Sequence, residues 1–264
     1  MLLNDRNAVI YGAGAIGSAV AEVFAREGAR VFVAGRNRAK LDRVANAIAS
    51  AGGQVETAEL DVLDEQAVDR HAADIAERAG SIDIALNAVS FPHDQGTTIG
   101  ELSLDAFMLP VDRFLRALFI TSKAVAPHMG RSRTGVILTL SAPGAVLAVG
   151  GHLGHAASQA GVEAFSRTLA DELGPRNIRV ACIRSHALTD APAAGSFTGP
   201  MFEAKAAMMG LSVDQWLGGA AQMTMLKRLP RIEHVAETAA FLASERAGAM
   251  TGAVANLTCG AIAE

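Results

Sequence analysis

The chain has one tyrosine, one tryptophan and two cysteines in 264 residues. Two cysteines, Cys182 and Cys259, are too few for a disulfide framework, and they form no CxxC pair. Both stand in apolar, strand-like surroundings that suit buried free thiols. No apolar run reaches the roughly 18–20 residues that a membrane span needs. The start, MLLNDRNAVIYG, lacks the basic stretch, apolar stretch and small-residue cleavage site of a secretory leader. A soluble cytoplasmic protein is the expectation. Long basic runs are missing too: the net charge is −4, and Arg131 and Arg133 form a pair rather than a patch. Nothing in the charge favours nucleic acid or an anionic membrane as a partner. There is no HExxH and no Cys/His ligand spacing, so His152, His155 and His186 are not expected to hold a metal.

What is present is a regular alternation. Half the residues are apolar and 19% are charged, with no repeats and no low-complexity linker. Short apolar runs at 8–11, 30–34, 55–60, 82–87, 136–140, 178–183 and 253–258 read as buried strands. Between them lie segments with helical periodicity at 15–27, 38–51, 64–79, 103–129, 153–173 and 233–243. Asp64 is placed to cap a helix that Gly80 ends, and Gly28 closes the first helix. Pro110 predicts a kink or break in the stretch from Ser103. Strands alternating with long helices require right-handed crossovers. The expected fold is therefore α/β: a Rossmann-like, doubly wound parallel sheet of about seven strands with helices on both faces. No linker divides it, so residues 1–264 are read as one domain.

The first strand–turn–helix unit carries Gly12-Ala13-Gly14-Ala15-Ile16-Gly17, a GxGxxG pattern. Glycines at that spacing let backbone approach a pyrophosphate, whose charge meets a helix N-terminus. Gly12, Gly14, Ile16 and Gly17 are the candidate cofactor contacts there. The second strand ends Ala34-Gly35-Arg36-Asn37-Arg38, with none of the acidic residues that bond the ribose hydroxyls of NAD. Gly35 leaves room, and Arg36 and Arg38 offer guanidinium donors to a 2′-phosphate, which favours NADP(H) over NAD(H).

Residues 136–183 read VILTLSAPGAVLAVGGHLGHAASQAGVEAFSRTLADELGPRNIRVACI. The LS near the strand end, the long helix and ELGPRNIRV after it resemble the short-chain dehydrogenase/reductase family. Landmarks further on agree in order: Leu226–Leu229, Val235-Ala236-Glu237, Phe241–Ser244, Thr251-Gly252 and Cys259-Gly260. The resemblance covers essentially the whole chain. It implies an NAD(P)-linked oxidoreductase in which a phenol protonates the alkoxide and a lysine four residues on lowers the phenol's pKa. It also implies a serine about thirteen residues before the phenol and an asparagine that supports a water relay.

At those positions this chain has His155, Gln159, Ala142 beside Ser141, and the neighbourhood of Arg113. Tyr11, at the nucleotide end, is the only tyrosine, so no shifted phenol is available. The family's glycine loop, TGxxxGxG, is also one residue longer than the loop here. By resemblance, Asp61 and Val62 contact adenine, Asn87 keeps the first position of the family's Asn-Asn-Ala-Gly turn, and Thr189 meets the cofactor. His155, Ser141 and Gln159 are the candidate catalytic residues, with an imidazolium as a competent general acid. Arg184 and His186 are further polar groups near the expected nicotinamide.

Residues 187–225 read as a segment covering the substrate, rich in methionine and suited to a small apolar ligand. The helices near 103–129 and 153–173 are the ones that pair subunits in the family, so a dimer or tetramer is expected. The resulting expectation is a divergent NADP(H)-binding oxidoreductase acting on a carbonyl or alcohol through an altered proton relay. The same departures also suit a non-redox isomerase, lyase or cyclase on this fold, or a binding or scaffold protein without turnover.

Overall fold

Residues 1–263 are described by a computed structural model. The strands are β1 (Asn7–Tyr11), β2 (Arg30–Gly35), β3 (Gln54–Glu59), β4 (Ile84–Asn87), β5 (Gly135–Ser141), β6 (Ile178–Ser185) and β7 (Ala253–Leu257). The helices are α1 (Ala15–Arg26), α2 (Arg38–Ser50), α3 (Glu65–Ala79), α4 (Leu104–Val125), α5 (Leu153–Leu173), α6 (Thr198–Met208), α7 (Val213–Gln222) and α8 (Ile232–Ala243). The strands form one parallel sheet in the order β3-β2-β1-β4-β5-β6-β7. Strand order therefore reverses between β1 and β4, and open parallel sheets take ligands beyond the C-terminal ends of the strands at such a point.

The sheet buries apolar residues on both faces. Val20, Phe24, Leu41, Ile48, Val235 and Ala239 bring α1, α2 and α8 against one face. Val68, Ile75, Ala117, Ile120 and Leu173 bring α3, α4 and α5 against the other. The strands are accordingly near-continuous apolar runs, as a parallel sheet covered on both sides demands. Asp64 caps α3 by accepting from the Ala67 amide at 3.0 Å, and Gly80 ends that helix in the left-handed conformation.

Helix α4 does not break at Pro110. It starts after Ser103, whose hydroxyl accepts from the Ala106 amide, and runs through the proline to Val125. Pro110 is buried against α5, and a Cβ at Gly154 would come 3.0 Å from its Cγ. Packing between the two long helices overrides the local propensity. β4 begins two residues later than the apolar run suggests, because the Ile82 amide instead donates to the His128 carbonyl.

In the segment 187–225, α6 and α7 enclose a small core of Phe202, Leu217 and Ala220 with Leu229, and Met201 and Trp216 pack against it. The expected apolar methionine lining is not there. Met208, Met209, Met223 and Met225 stand at the surface, between 66% and 78% exposed. The inward positions of the two short helices are taken by Phe202, Leu217 and Ala220, with Met201 and Trp216 beside them, and the other four methionines face outward. Among the described residues no helix is long and apolar enough to cross a membrane.

Candidate active site

The β1–α1 turn lies at the reversal point of the sheet. Gly12 has φ +118°, and a Cβ there would collide with the Ala88 carbonyl at the end of β4. A Cβ at Gly17 would fall 1.8 Å from the Gly12 carbonyl oxygen. The first and third glycines thus let the turn fold onto α1 and onto β4. Gly14 faces open space and precedes α1 with no side-chain cap, which leaves first-turn amides available to an anion. The spacing of this turn is that of GxGxxG, and the shorter loop closes without strain beyond Gly12. At Gly35 a Cβ would meet only ordinary contacts, the nearest being the Ala13 nitrogen at 3.5 Å. Arg36 is exposed, with a guanidinium nitrogen 3.9 Å from Asp61 Oδ2. Arg38 instead turns along α2 onto Asp42 at 2.9 Å. Val62 is buried, Asp61 accepts from the Leu63 amide, and Asn87 donates to Thr121 Oγ1 at 3.0 Å. The Thr189 side chain is exposed and its amide donates to the Pro230 carbonyl.

At the start of α5, side chains from distant parts of the chain meet around His155. It sits in the first turn of α5, with its ring stacked on His93 at 5.2 Å between centroids. His93 and Gln95 come from the loop after β4, His152 from the residue before α5, and Lys205 from α6. His93 Nε2 and His155 Nδ1 are 3.0 Å apart, and Gln95 Nε2 is 2.9 Å from His93 Nε2. Lys205 Nζ donates to Gln95 Oε1 at 2.6 Å and to His152 Nε2 at 2.9 Å.

Backbone carbonyls select the tautomers. His93 Nδ1 donates to the Phe91 carbonyl at 2.7 Å, and His152 Nδ1 donates to the Gly150 carbonyl at 2.8 Å. A neutral imidazole with its proton on Nδ1 offers Nε2 as an acceptor. His152 Nε2 then accepts from Lys205, and His93 Nε2 accepts from His155 Nδ1 and shares the Gln95 amide. Neutral His155 is thereby left with its lone pair on Nε2. That nitrogen lies beside Gly144, where a Cβ would come within 3.1 Å of it.

Electrostatics keep the cluster short of protons. Burial, then His93, His152 and Lys205, push His155 down to about 3. Burial also lowers His93, His152 and Lys205. The nearest acidic group, Asp94, opposes this for His93 and His152. Its oxygens, however, accept from the Thr97 amide and hydroxyl rather than from the basic groups. These influences favour the neutral form of His155.

The remaining candidates lie below the cluster or apart from it. Ser141 is buried and donates to Glu163 Oε1 at 2.7 Å. Glu163 also receives Arg184 at 2.7 and 2.8 Å, each side chain of the pair being 4% exposed. Burial pushes the Glu163 carboxyl up, but bonds from Arg184 and Ser141 outweigh it and hold the group below its usual range. Gln159 is buried, and its amide donates to Ser158 Oγ at 3.3 Å. His186 accepts from the Ala187 amide and stays within its own loop. Arg113 is exposed on α4. Tyr11 is fully buried with no hydrogen-bond partner for its hydroxyl, and burial raises its pKa.

His93, Gln95 and Lys205 are the residues that sequence reasoning missed. One signal was available: Lys205 is the only basic residue between 187 and 225.

A family model described as enoyl-(acyl carrier protein) reductase matches residues 12–261. The chain belongs to the short-chain dehydrogenase/reductase family. Its similarity to other members runs nearly end to end. An uncharacterized oxidoreductase, YxbG, of Bacillus subtilis is 32% identical over 95% of this chain and 88% of its own length. The short-chain reductase protein NovJ of Streptomyces niveus is 32% identical over 93% of this chain and 89% of its own. A solved dehydrogenase/reductase from Sinorhizobium meliloti superposes with a TM-score of 0.83 at 25% identity, covering 99% of this chain and 96% of that one. The chain is thus a short-chain dehydrogenase/reductase of seven parallel strands in one Rossmann-like sheet.

Proposed function

We propose that this family member is an NADP(H)-dependent oxidoreductase of a carbonyl/alcohol pair in which His155 moves the proton. The observation that carries the reading is the orientation of His155. Its Nδ1 is held by His93 and its Nε2 is left free, at the helix position where the family's phenol is expected.

The residues at the nucleotide end fit a dinucleotide. Gly14 opens a cradle before the uncapped N-terminus of α1, and Gly35 and Arg36 leave space and positive charge where a 2′-phosphate would lie. A bound nicotinamide supplies or accepts the hydride. The chain's part is to bind, orient and manage one proton. Gly12, Gly14, Ile16 and Gly17 hold the pyrophosphate, and Asp61 and Val62 flank the adenine. Asn87 braces the end of β4, and Thr189 bounds the nicotinamide side. His155 Nε2 takes the proton from an alcohol or, once charged, returns it to an alkoxide. Such acid–base assistance is typically worth about 10²–10⁴-fold. Ser141 and Gln159 act as positioning residues, Ser141 through Glu163 of α5 and Gln159 through its neighbour Ser158 on the same helix.

The subunits pair through α4 and α5. Met108, Leu109 and Phe119 of α4 are exposed apolar groups, and Ala157, Ala160 and Ala164 of α5 present small ones. Small residues let helices approach closely.

The test is a titration with NADPH and NADH, followed by Trp216 fluorescence and by calorimetry, then turnover with ketones, aldehydes and alcohols. NADPH is expected to bind more tightly than NADH, and His155→Ala to lower turnover while leaving cofactor affinity unchanged. No binding of either cofactor at millimolar concentration would sink the reading. NADPH binding with no turnover on any of these compounds would point instead to a binding protein.

A further inference from the structure

Lys205 keeps different company from the ion-paired cations of the chain. Arg26, Arg30, Arg38, Arg78, Arg116, Lys123 and Arg184 each meet a carboxylate within ion-pair distance. Lys205 meets only neutral acceptors, Gln95 Oε1 and His152 Nε2, together with the face of Trp216 at 5.9 Å. Three imidazoles lie with it, and among the described residues no acidic side chain bonds to any of the four. Asp94 is the nearest acidic group acting on them, and its oxygens are spent on Thr97. A half-buried ammonium and a stack of half-buried imidazoles converge here without a counter-charge, an arrangement that favours an arriving anion.

We infer that the substrate carries a carboxylate beside its reacting group, an oxo acid or hydroxy acid, and that Lys205 and His152 hold that carboxylate while His155 faces the carbonyl or hydroxyl. The redox half of this rests on the proposed function; the carboxylate site does not. Each member then has one task. Lys205 brings the positive charge from α6. The Gly150 carbonyl keeps His152 with Nε2 turned toward the bound group. The Phe91 carbonyl and His93 keep His155 Nε2 free for the proton.

The charge of the substrate also prepares the acid. Without it, Lys205, His93 and His152 all act against a proton on His155. An anion within about 4–6 Å favours the charged form of a neighbouring base by roughly 1–3 pKa units. Binding therefore raises the protonated share of His155, most of all in mildly acidic solution. In reduction, the carbonyl carbon gains hydride from the reduced nicotinamide and its oxygen gains the Nε2 proton. The products are a hydroxy acid and the oxidised cofactor, and solvent reprotonates the imidazole. A neutral ketone would bring no such proton with it.

The experiment is calorimetry of the whole protein, with and without NADPH. The probes are straight-chain 2-oxo and 3-oxo acids of short to medium length and the ketones lacking the carboxylate. Each is titrated in two buffers of different ionisation enthalpy, and acetate is followed separately by histidine ring NMR. Expected are at least about tenfold tighter binding of the acids than of the ketones, and net proton uptake that grows as the pH falls below neutrality. Lys205→Met is expected to remove most of that preference, and Lys205→Arg to restore part of it. An equal affinity for acids and ketones overturns the inference. So does a preference that survives Lys205→Met, or ring signals of His152 and His155 that ignore both the acids and decimolar acetate. A protein that binds oxo acids through Lys205 but no cofactor keeps this inference and loses the redox reading. One that reduces neutral ketones with NADPH and ignores acids does the reverse.

Discussion

The nucleotide end and the catalytic end are built from different materials. At the nucleotide end the work falls to backbone: a left-handed Gly12, a Gly17 with no room for a Cβ, and an uncapped helix start. At the catalytic end it falls to side chains. His93, Gln95, His152, His155 and Lys205 form one network, and beneath it Glu163 and Arg184 bury opposite charges. A backbone site depends on neighbours a few residues away and tolerates change around it. A side-chain site depends on segments folded together from far apart, and changes whenever one member does.

That difference can be broken at several points. The largest effect is expected from Glu163→Ala. It breaks the buried ion pair between Glu163 and Arg184, which should cost about 3–5 kcal/mol in urea denaturation. Replacing both partners with methionine should recover most of the loss. If the single variant costs less than the double, the buried pair is not what holds the catalytic end in place.

Gly144→Ala comes next. Its Cβ would come 2.8 Å from His155 Cδ2 and 3.1 Å from Nε2, so the ring must move. A misplacement of about 1 Å can cost about 10²-fold in rate. Turnover should fall by that order while the melting temperature barely changes. Unchanged turnover would separate His155 from the chemistry.

Gly17→Ala attacks the other end. The new methyl cannot coexist with the Gly12 carbonyl, so backbone must shift, at a cost of about 1–3 kcal/mol. Thermal denaturation should show that loss, and NADPH titration a weakened affinity.

An effect spread over several pH units is expected on acidification. His155 is pushed down to about 3 from an ordinary value of 6.5, so the unfolded chain binds its proton more readily than the folded one. Between these values unfolding takes up a proton, so stability rises with pH across that window and is complete above about 6.5. Acidification should therefore cost on the order of 1 kcal/mol per pH unit within it. His155→Gln should flatten that limb of a denaturation series. His71, lowered by burial beside Tyr11, should keep its own share. The smallest shift is expected from Arg36→Asp, which should move the NADPH/NADH affinity ratio by about tenfold toward NADH.

Much of the nucleotide end was legible before the fold was known. Spacing in Gly12–Gly17 specifies the turn, and the structure gives Gly12 the left-handed backbone that the turn needs. The catalytic end was legible only as a set of departures. Ala142, His155 and Gln159 mark where the family's groups are absent, yet His93 and Lys205 lie 62 and 53 residues from their hydrogen-bond partners in the network. Ser141 reads as a site hydroxyl from its position at the strand end, but a buried carboxylate on α5 claims its proton. Pro110 reads as a helix breaker, but contact with α5 keeps α4 whole. In each case a long-range contact worth more than the local preference prevailed.

Periodicity and turn residues along the chain were enough for the seven-stranded parallel sheet and for the glycine turn between β1 and α1. Those features follow from interactions between near neighbours, which sequence order preserves. The company kept by His155 came only with folding. Carbonyls of Phe91 and Gly150 select the tautomers, and α6 delivers the one cation without a carboxylate partner in that segment. Hydrogen bonds of under 3.5 Å between residues this far apart in the chain have no trace in their order, because the sheet and its crossovers set those distances.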